Sequence, residues 1–255
     1  MLKKRIIPVQ LLMGGRLVKS RRFHDWRDVG DPVKSSAVYS SQSADELLFL
    51  NIDRGERSLE RLAEVIEAVA RECFMPVAFG GGIRSFEDAA FLIRNGADKV
   101  VINSAAYADP SILSRTAEVF GTQAVIAAID AIRDSTVPQG YRLYSNCAKT
   151  AEDLDLDTHV ARCIAAGAGE IFIQSIDHDG MMNGFDLPLI KRVVDRSSVP
   201  VIGCGGSGNY AQLRDAFLET DVSALACGSL FNFSDSNPIR AKAYLSNYGL
   251  SFKVV

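Results

Sequence analysis

The constraint that acts hardest on this chain is an internal repeat with an offset of 124 residues, close to half of its 255. Phe49-Leu50-Asn51-Ile52-Asp53 returns as Ile173-Gln174-Ser175-Ile176-Asp177. In the same register Glu46 falls on Glu170, Gly81-Gly82 on Gly205-Gly206, and Phe86 on Tyr210. An apolar segment ending in Asp and a separate glycine pair therefore share one spacing. Such a chain reads as two copies of one half, and the fold must offer both copies equivalent places.

Eight short apolar runs lie at residues 5–12, 47–52, 76–79, 99–102, 123–129, 170–176, 200–203 and 222–226. They are rich in Val, Ile, Leu and Ala without strict polar alternation, which suits strands buried on both faces of a parallel sheet. Helical signatures alternate with them. Ser58 is placed to cap a helix with the apolar stripe Leu59, Leu62, Ala63, Ile66, Val69. Ser85 precedes Phe86-Glu87-Asp88, and Asn95-Gly96 closes that helix. Asp109-Pro110 opens another that ends before Gly121, and further helices are expected over 155–166, 187–196, 210–219 and 238–248. Residues 133–153 break the rhythm and read as a long loop or hairpin. No linker divides the chain, so residues 1–255 are expected to form one (β/α)₈ TIM barrel built from two half-barrel repeats. An open doubly wound sheet is the competing architecture.

Barrel active sites lie at the C-terminal ends of the strands. Phe79-Gly80-Gly81-Gly82-Ile83-Arg84-Ser85 follows the third run and enters a helix, and Cys204-Gly205-Gly206-Ser207-Gly208 repeats this after the seventh. Glycines let backbone approach a ligand, and a helix N-terminus offers free N–H groups to an anion. Asn103-Ser104 and Gly228-Ser229 end the following runs. Gly81, Gly82, Asn103 and Ser104 on one side, with Gly205, Gly206, Gly228 and Ser229 on the other, make two candidate phosphate sites. Together they imply a small elongated substrate with an anionic group at each end. Tight strand-to-helix turns also need glycine for purely structural reasons.

Asp130 ends the fifth run and is a candidate general acid/base. Asp53 and Asp177 end the second and sixth, and Asp179 lies in the Asp177-His178-Asp179-Gly180 turn; turn stabilisation is the competing role for these three. At the opposite ends of the strands stand Arg5, Glu46, Lys99 and Glu170. Two cations and two anions there can neutralise one another as a structural ring.

Other classes drop out. With 28 basic against 31 acidic residues, the composition carries no nucleic-acid footprint. No run of 18 apolar residues is present, and Pro8 interrupts the N-terminal one, so neither a membrane span nor a signal peptide is expected and the protein reads as cytoplasmic. Cys73, Cys147, Cys163, Cys204 and Cys227 are odd in number and form no CxxC, as suits reduced, mostly buried thiols. The three histidines are scattered, and there is no HExxH or Walker A, so neither a metal nor another cofactor is expected.

With Lys4-Arg5-Ile6-Ile7-Pro8, Asn103-Ser104-Ala105-Ala106, Ala128-Ile129-Asp130, Gly167-Ala168-Gly169-Glu170-Ile171 and Ser175-Ile176-Asp177-His178-Asp179-Gly180 added to the glycine loops, the whole chain resembles the HisF family. These are the cyclase subunits of imidazole glycerol phosphate synthase. The resemblance implies a half-barrel duplication, a substrate with two phosphates, and ammonia delivered through the barrel from a docked HisH-like glutaminase. It also implies that Arg5, Glu46, Lys99 and Glu170 gate the ammonia path, with Asp98 at the glutaminase interface. Asp130 matches one of the family's two catalytic aspartates. The other belongs to a Pro-Cys-Leu-Asp-Val motif that here reads Pro8-Val9-Gln10-Leu11-Leu12, and Gln174 stands where the family has Thr. Leu11 cannot transfer a proton, and a lost acid/base commonly costs about 10²–10⁴-fold in rate. The pattern resembles the paralogues that support amidination of a nucleotide sugar for surface polysaccharide, with a separate sugar amidotransferase as a further partner. The alternatives are a working cyclase of histidine biosynthesis, with Asp130 acting alone or with Asp177, and a scaffold that only activates the glutaminase.

Overall fold

The fifth run and the sixth run sit side by side in space, and that pairing closes the sheet. In a computed structural model describing residues 3–53 and 59–253, eight parallel strands form a ring. They are β1 (Arg5–Met13), β4 (Leu47–Asn51), β5 (Val77–Gly80), β6 (Lys99–Ile102), β7 (Val125–Arg133), β10 (Glu170–Ser175), β11 (Val201–Cys204) and β12 (Ala224–Cys227). Each pairs with the next, β12 returns to β1, and β7 pairs with β10 from Ile126↔Glu170 to Ala131↔Ser175. The architecture is a (β/α)₈ barrel, not an open sheet.

Side chains alternate between two apolar layers. Ile7, Val9 and Leu11 of β1 pack inside the barrel with Leu48, Ala78, Val101, Ile126, Ala128, Phe172 and Ala226. Ile6, Leu12, Phe49, Phe79 and Ile129 face outward to the helices. Continuous burial on both faces is why these runs lack polar alternation.

The helices α2 (Leu59–Glu72), α3 (Phe86–Arg94), α5 (Ser111–Phe120), α6 (Leu156–Ala165), α7 (Leu187–Arg196), α8 (Tyr210–Thr220) and α10 (Pro238–Ser246) cover the outside close to where they are expected. The Ser58 cap lies outside the described residues. Ser85 caps α3 in a capping box with Asp88, which stabilises the helix by satisfying orphan N–H groups at its start. Asp155 caps α6.

Residues 14–46 hold elements the sequence did not announce. After β1 the chain folds back as the antiparallel hairpin β2 (Arg16–Arg21) and β3 (His24–Gly30), then enters α1 (Pro32–Ser41). Residues 133–153 make the matching extension of the other half, β8 (Tyr141–Ser145) and β9 (Thr150–Ala151) folding back on β7. Two short helices, α4 (Ser104–Ala108) and α9 (Ser229–Phe233), stand after β6 and β12 in equivalent positions. Among the described residues no helix is long and apolar enough to cross a membrane.

The repeat is visible in backbone contacts. Gly81 and Gly205 both have positive φ, +89° and +98°. A Cβ on Gly81 would fall 1.9 Å from the Asn51 carbonyl oxygen, and one on Gly205 would fall 2.6 Å from that of Ser175, its 124-residue counterpart. Gly14 also has positive φ but open space around it. Gly14→Ala should therefore cost about 1 kcal/mol of backbone strain, and Gly81→Ala several times more, because its methyl also meets backbone. Urea unfolding of the two variants measures this; equal losses would mean that φ alone matters at Gly81.

Candidate functional site

The N-terminal end of the barrel is closed by a ring of charge. The Arg5 guanidinium donates to Glu46 Oε2 at 2.8 Å and to both oxygens of Glu170. Lys99 Nζ donates to Glu46 Oε2 at 2.9 Å and to Glu170 Oε1. Each cation thus bridges both carboxylates, and all four predicted residues come together. Glu46 is 2% exposed, and its Oε1 is buried without a partner among the described residues. Burial therefore holds its pKa above the usual range despite Lys99 and Arg5. Burial acts on Glu170 in the same direction, but the Arg5 hydrogen bonds and the charges of Arg5 and Lys99 outweigh it, so Glu170 titrates below its usual range. Removing one partner of such a buried set leaves uncompensated charge. Asp98 is exposed on the same face, where its carboxylate accepts from Val77 N at 2.8 Å.

The C-terminal end opens into a cavity of about 360 Å³. Gly81, Gly82, Asn103, Ser104 and Asp130 line it together, as the strand-end positions predict. Leu11, Leu50, Ile52 and Trp26 make an apolar wall, and Gln174 adds an amide.

The register shows where Leu11 stands relative to Asp130. Leu11 pairs with Leu50 on β4, and Asp130 pairs with Gln174 on β10, which is Leu50's 124-residue counterpart. Leu11 and Asp130 thus occupy equivalent interior positions in the two halves. Gln10 points the other way, donating to Ser35 Oγ on α1 at 2.9 Å. No side-chain turn of Gln10 supplies a polar group at the Leu11 position.

Asp130 accepts from Asn103 Nδ2 at 2.9 Å. Burial, then the charge of Asp179, pushes its pKa up to about 7, against the opposing hydrogen bond from Asn103. A carboxyl group divided between its two forms near neutral pH suits a general acid/base.

Asp177 is not brought to Asp130. Its carboxylate accepts from Arg133 N at 2.8 Å, and it does not line the cavity. Asp53, its counterpart, does the same for Gly14 N at 3.0 Å. The two aspartates fasten the backbone three residues beyond Leu11 and Asp130, which corresponds to the turn-stabilising role. The other Asp of the turn lies nearer the site: Asp179, 4% exposed, accepts from Ser20 Oγ at 2.9 Å and Gln174 Nε2 at 3.3 Å.

Gly205, Gly206, Gly228 and Ser229 do not line this cavity, and Gly228 adjoins a residue that sequence reasoning missed. Lys19 on β2 is 5% exposed, and its ammonium reaches the end of β12. A Cβ on Gly228 would fall 2.2 Å from Lys19 Nζ. Ser229 Oγ is buried there without a hydrogen bond, and among the described residues Lys19 makes no ion pair. A buried ammonium lacking a counter-charge, beside an unpartnered hydroxyl, is a binding arrangement for an anion. Nothing local in Arg16-Leu17-Val18-Lys19-Ser20-Arg21-Arg22 singles out the buried base among exposed ones. Cys73, Cys163, Cys204 and Cys227 are buried thiols outside any disulfide, and Cys147, at the cavity mouth, is half-buried. Among the described residues no group of three or more His, Cys, Asp or Glu is arranged to hold a metal ion.

The family model described as "Histidine biosynthesis protein" matches residues 5–236. The chain is 43% identical over 245 residues to a protein of Lacticaseibacillus paracasei named imidazole glycerol phosphate synthase subunit HisF, covering 96% of this chain and 97% of that one. Its identity to the protein of the same name from Dehalococcoides mccartyi is 40%, over 100% of this chain and 99% of that one. For the Hyphomonas neptunium protein of that name it is 39%, over the full length of both.

The Asp130 shift fixes a stability trend. Its folded pKa lies above the unfolded value, so between about pH 4 and 7 the native state binds the extra proton and stability falls as pH rises. Asp130→Asn should remove that component and be more stable than the parent at pH 8 by up to a few kcal/mol. Urea unfolding from pH 4 to 8 checks this, and parallel curves for the two proteins would contradict it.

Proposed function

The chain belongs to the histidine biosynthesis protein family, among the HisF-type barrels, and from that premise we propose that it is the ammonia-using subunit of an imidazole glycerol phosphate synthase-type complex. In this reading a HisH-like glutaminase docks at the charged end, near Asp98, in the cytoplasm. Released ammonia passes the Arg5–Glu46–Lys99–Glu170 ring and moves along the apolar interior. It meets a bisphosphorylated substrate held between the Gly81-Gly82, Asn103, Ser104 loops and the Gly205-Gly206, Gly228, Ser229 loops with Lys19. Asp130 exchanges the proton. The observation that carries the reading is the sharing of one cavity by Asp130 and the first glycine loop, with an unneutralised Lys19 serving the second.

A second reading is favoured by Leu11 alone. With an alkyl group where the twofold counterpart of Asp130 should be, cyclisation lacks its second acid/base. Ammonia would then be passed to a separate sugar amidotransferase for amidination of a nucleotide sugar in surface-polysaccharide synthesis. A scaffold that merely activates a glutaminase is the third possibility, and lack of ammonia transfer to any acceptor would single it out.

The test supplies the bisphosphorylated ribonucleotide substrate of histidine biosynthesis together with ammonium. Robust turnover by the unmodified protein supports the synthase reading and removes the second. Little or no turnover, raised about 10²-fold or more by Leu11→Asp, supports the second. Lys99→Ala should uncouple glutamine hydrolysis from product formation in the complex with its glutaminase while leaving ammonium-dependent turnover in place. Unchanged coupling would return the ring to a purely structural role.

A further inference from the structure

The mechanism above leaves a buried aromatic pair unused. α4 is only five residues long, too short to persist without tertiary support. Asn103, at its N-cap, makes no cap hydrogen bond and turns its amide to Asp130 instead. Ser104 is tied to the β8–β9 turn, its Oγ accepting from Asn146 N at 2.9 Å. Both polar residues of the cavity wall therefore depend on what anchors α4.

That anchor is Tyr107. Its ring lies 3.9 Å, centroid to centroid, from the ring of His159 on α6, with 13° between the planes. His159 is fully buried. Among the described residues its Nδ1 has no partner, and its Nε2 meets only Cys163 Sγ at 3.7 Å. Hydrogen bonding therefore does not explain a histidine here, whereas a flat ring laid on Tyr107 does. We propose that the Tyr107–His159 stack braces α4 so that the Asn103 amide stays on Asp130, making His159 a positioning residue for the acid/base.

The surrounding charges agree. Burial, followed by Arg162, holds the His159 imidazole down to about 4, so the ring is neutral while it stacks. The buried Tyr107 hydroxyl is pushed well above its usual range by burial first, then by the charges of Asp130, Cys163 and Glu152. It thus senses the carboxyl group that the brace serves.

The inference deepens the reading of Asp130 as the proton carrier, and its test does not need turnover. The full chain is labelled with ¹³C at the Asp carboxyl groups, and Asp130 is assigned from its absence in Asp130→Asn. In the parent its midpoint should lie near 7. Loosening Asn103 removes a bond that favours the ionised form, so His159→Ala should raise the midpoint by about half a pH unit or more. His159→Phe, which keeps a flat ring, should leave it in place. Where turnover is measurable, His159→Ala should lower kcat about tenfold and also raise KM, because Asn103 and Ser104 line the substrate cavity, and His159→Phe should restore both. An unmoved midpoint in His159→Ala, or an equal shift in His159→Phe, overturns the proposal. If His159→Ala does not fold, Tyr107→Leu is read by the same criterion. Full turnover in Asp130→Asn would instead defeat the acid/base reading and leave the titration to decide the brace.

Discussion

Strand register is the constraint on which this molecule depends. In a parallel barrel each strand sends alternate side chains inward, and a slip of one residue would exchange the two layers along its whole length. The pairings of β1 with β4 and of β7 with β10 put Leu11 and Asp130 inside at equivalent heights and send Gln10 outward to Ser35. The same registers give Asp53 and Asp177 identical tasks, fastening Gly14 N and Arg133 N. They also bring Gly81 and Gly205 against the ends of β4 and β10, so close that no Cβ fits. The two halves are alike at these turns and unlike at the interior pair, where Leu11 meets Leu50 in one half and Asp130 meets Gln174 in the other.

Polarity is sorted along the barrel axis. Four charges neutralise one another at one end, an apolar interior follows, and a half-apolar, half-polar cavity opens at the other. Burial raises both Glu46 and Asp130, for different reasons. At Glu46 an oxygen is left without a donor inside a neutral ring. At Asp130 a neighbouring carboxylate, Asp179, adds to desolvation, and a single amide opposes both. The first arrangement keeps the end of the barrel closed by ion pairs whose opening would leave charges unpaired. The second places a titrating group where a ligand can reach it.

Much of this was legible in the residues. Runs buried on both faces need no polar alternation, so the eight barrel strands stood out, and the repeat fixed their pairing into halves. The Ser85–Asp88 capping box and the Gly81 and Gly205 turns are local devices with local signals. The β2–β3 hairpin was not legible because His24, Asp25, Arg27 and Asp28 are exposed and β3 carries no apolar pattern. For α1 the signal existed, since Asp31 caps it and Pro32 opens it. Lys19 could not be told from its basic neighbours, because its burial is produced by the barrel mouth and not by its own segment. Asp177 and Asp179 share one turn, and only the folded backbone shows that the first is spent on Arg133 N while the second faces Ser20 and Gln174.

Trp26 is the chain's single tryptophan, and it lines the cavity. Its fluorescence therefore reports a ligand in the cavity of the first glycine cluster, and the dependence of that signal on Lys19 reports whether the second cluster holds the same ligand. Titration with the bisphosphorylated ribonucleotide should change the emission at concentrations about 10²-fold lower than a monophosphorylated analogue requires, since each anchored phosphate contributes its own charge-assisted bonds. Lys19→Met should erase most of that advantage. Equal affinity for the two compounds, or an advantage that survives loss of Lys19, would contradict a site that grips its ligand at both ends.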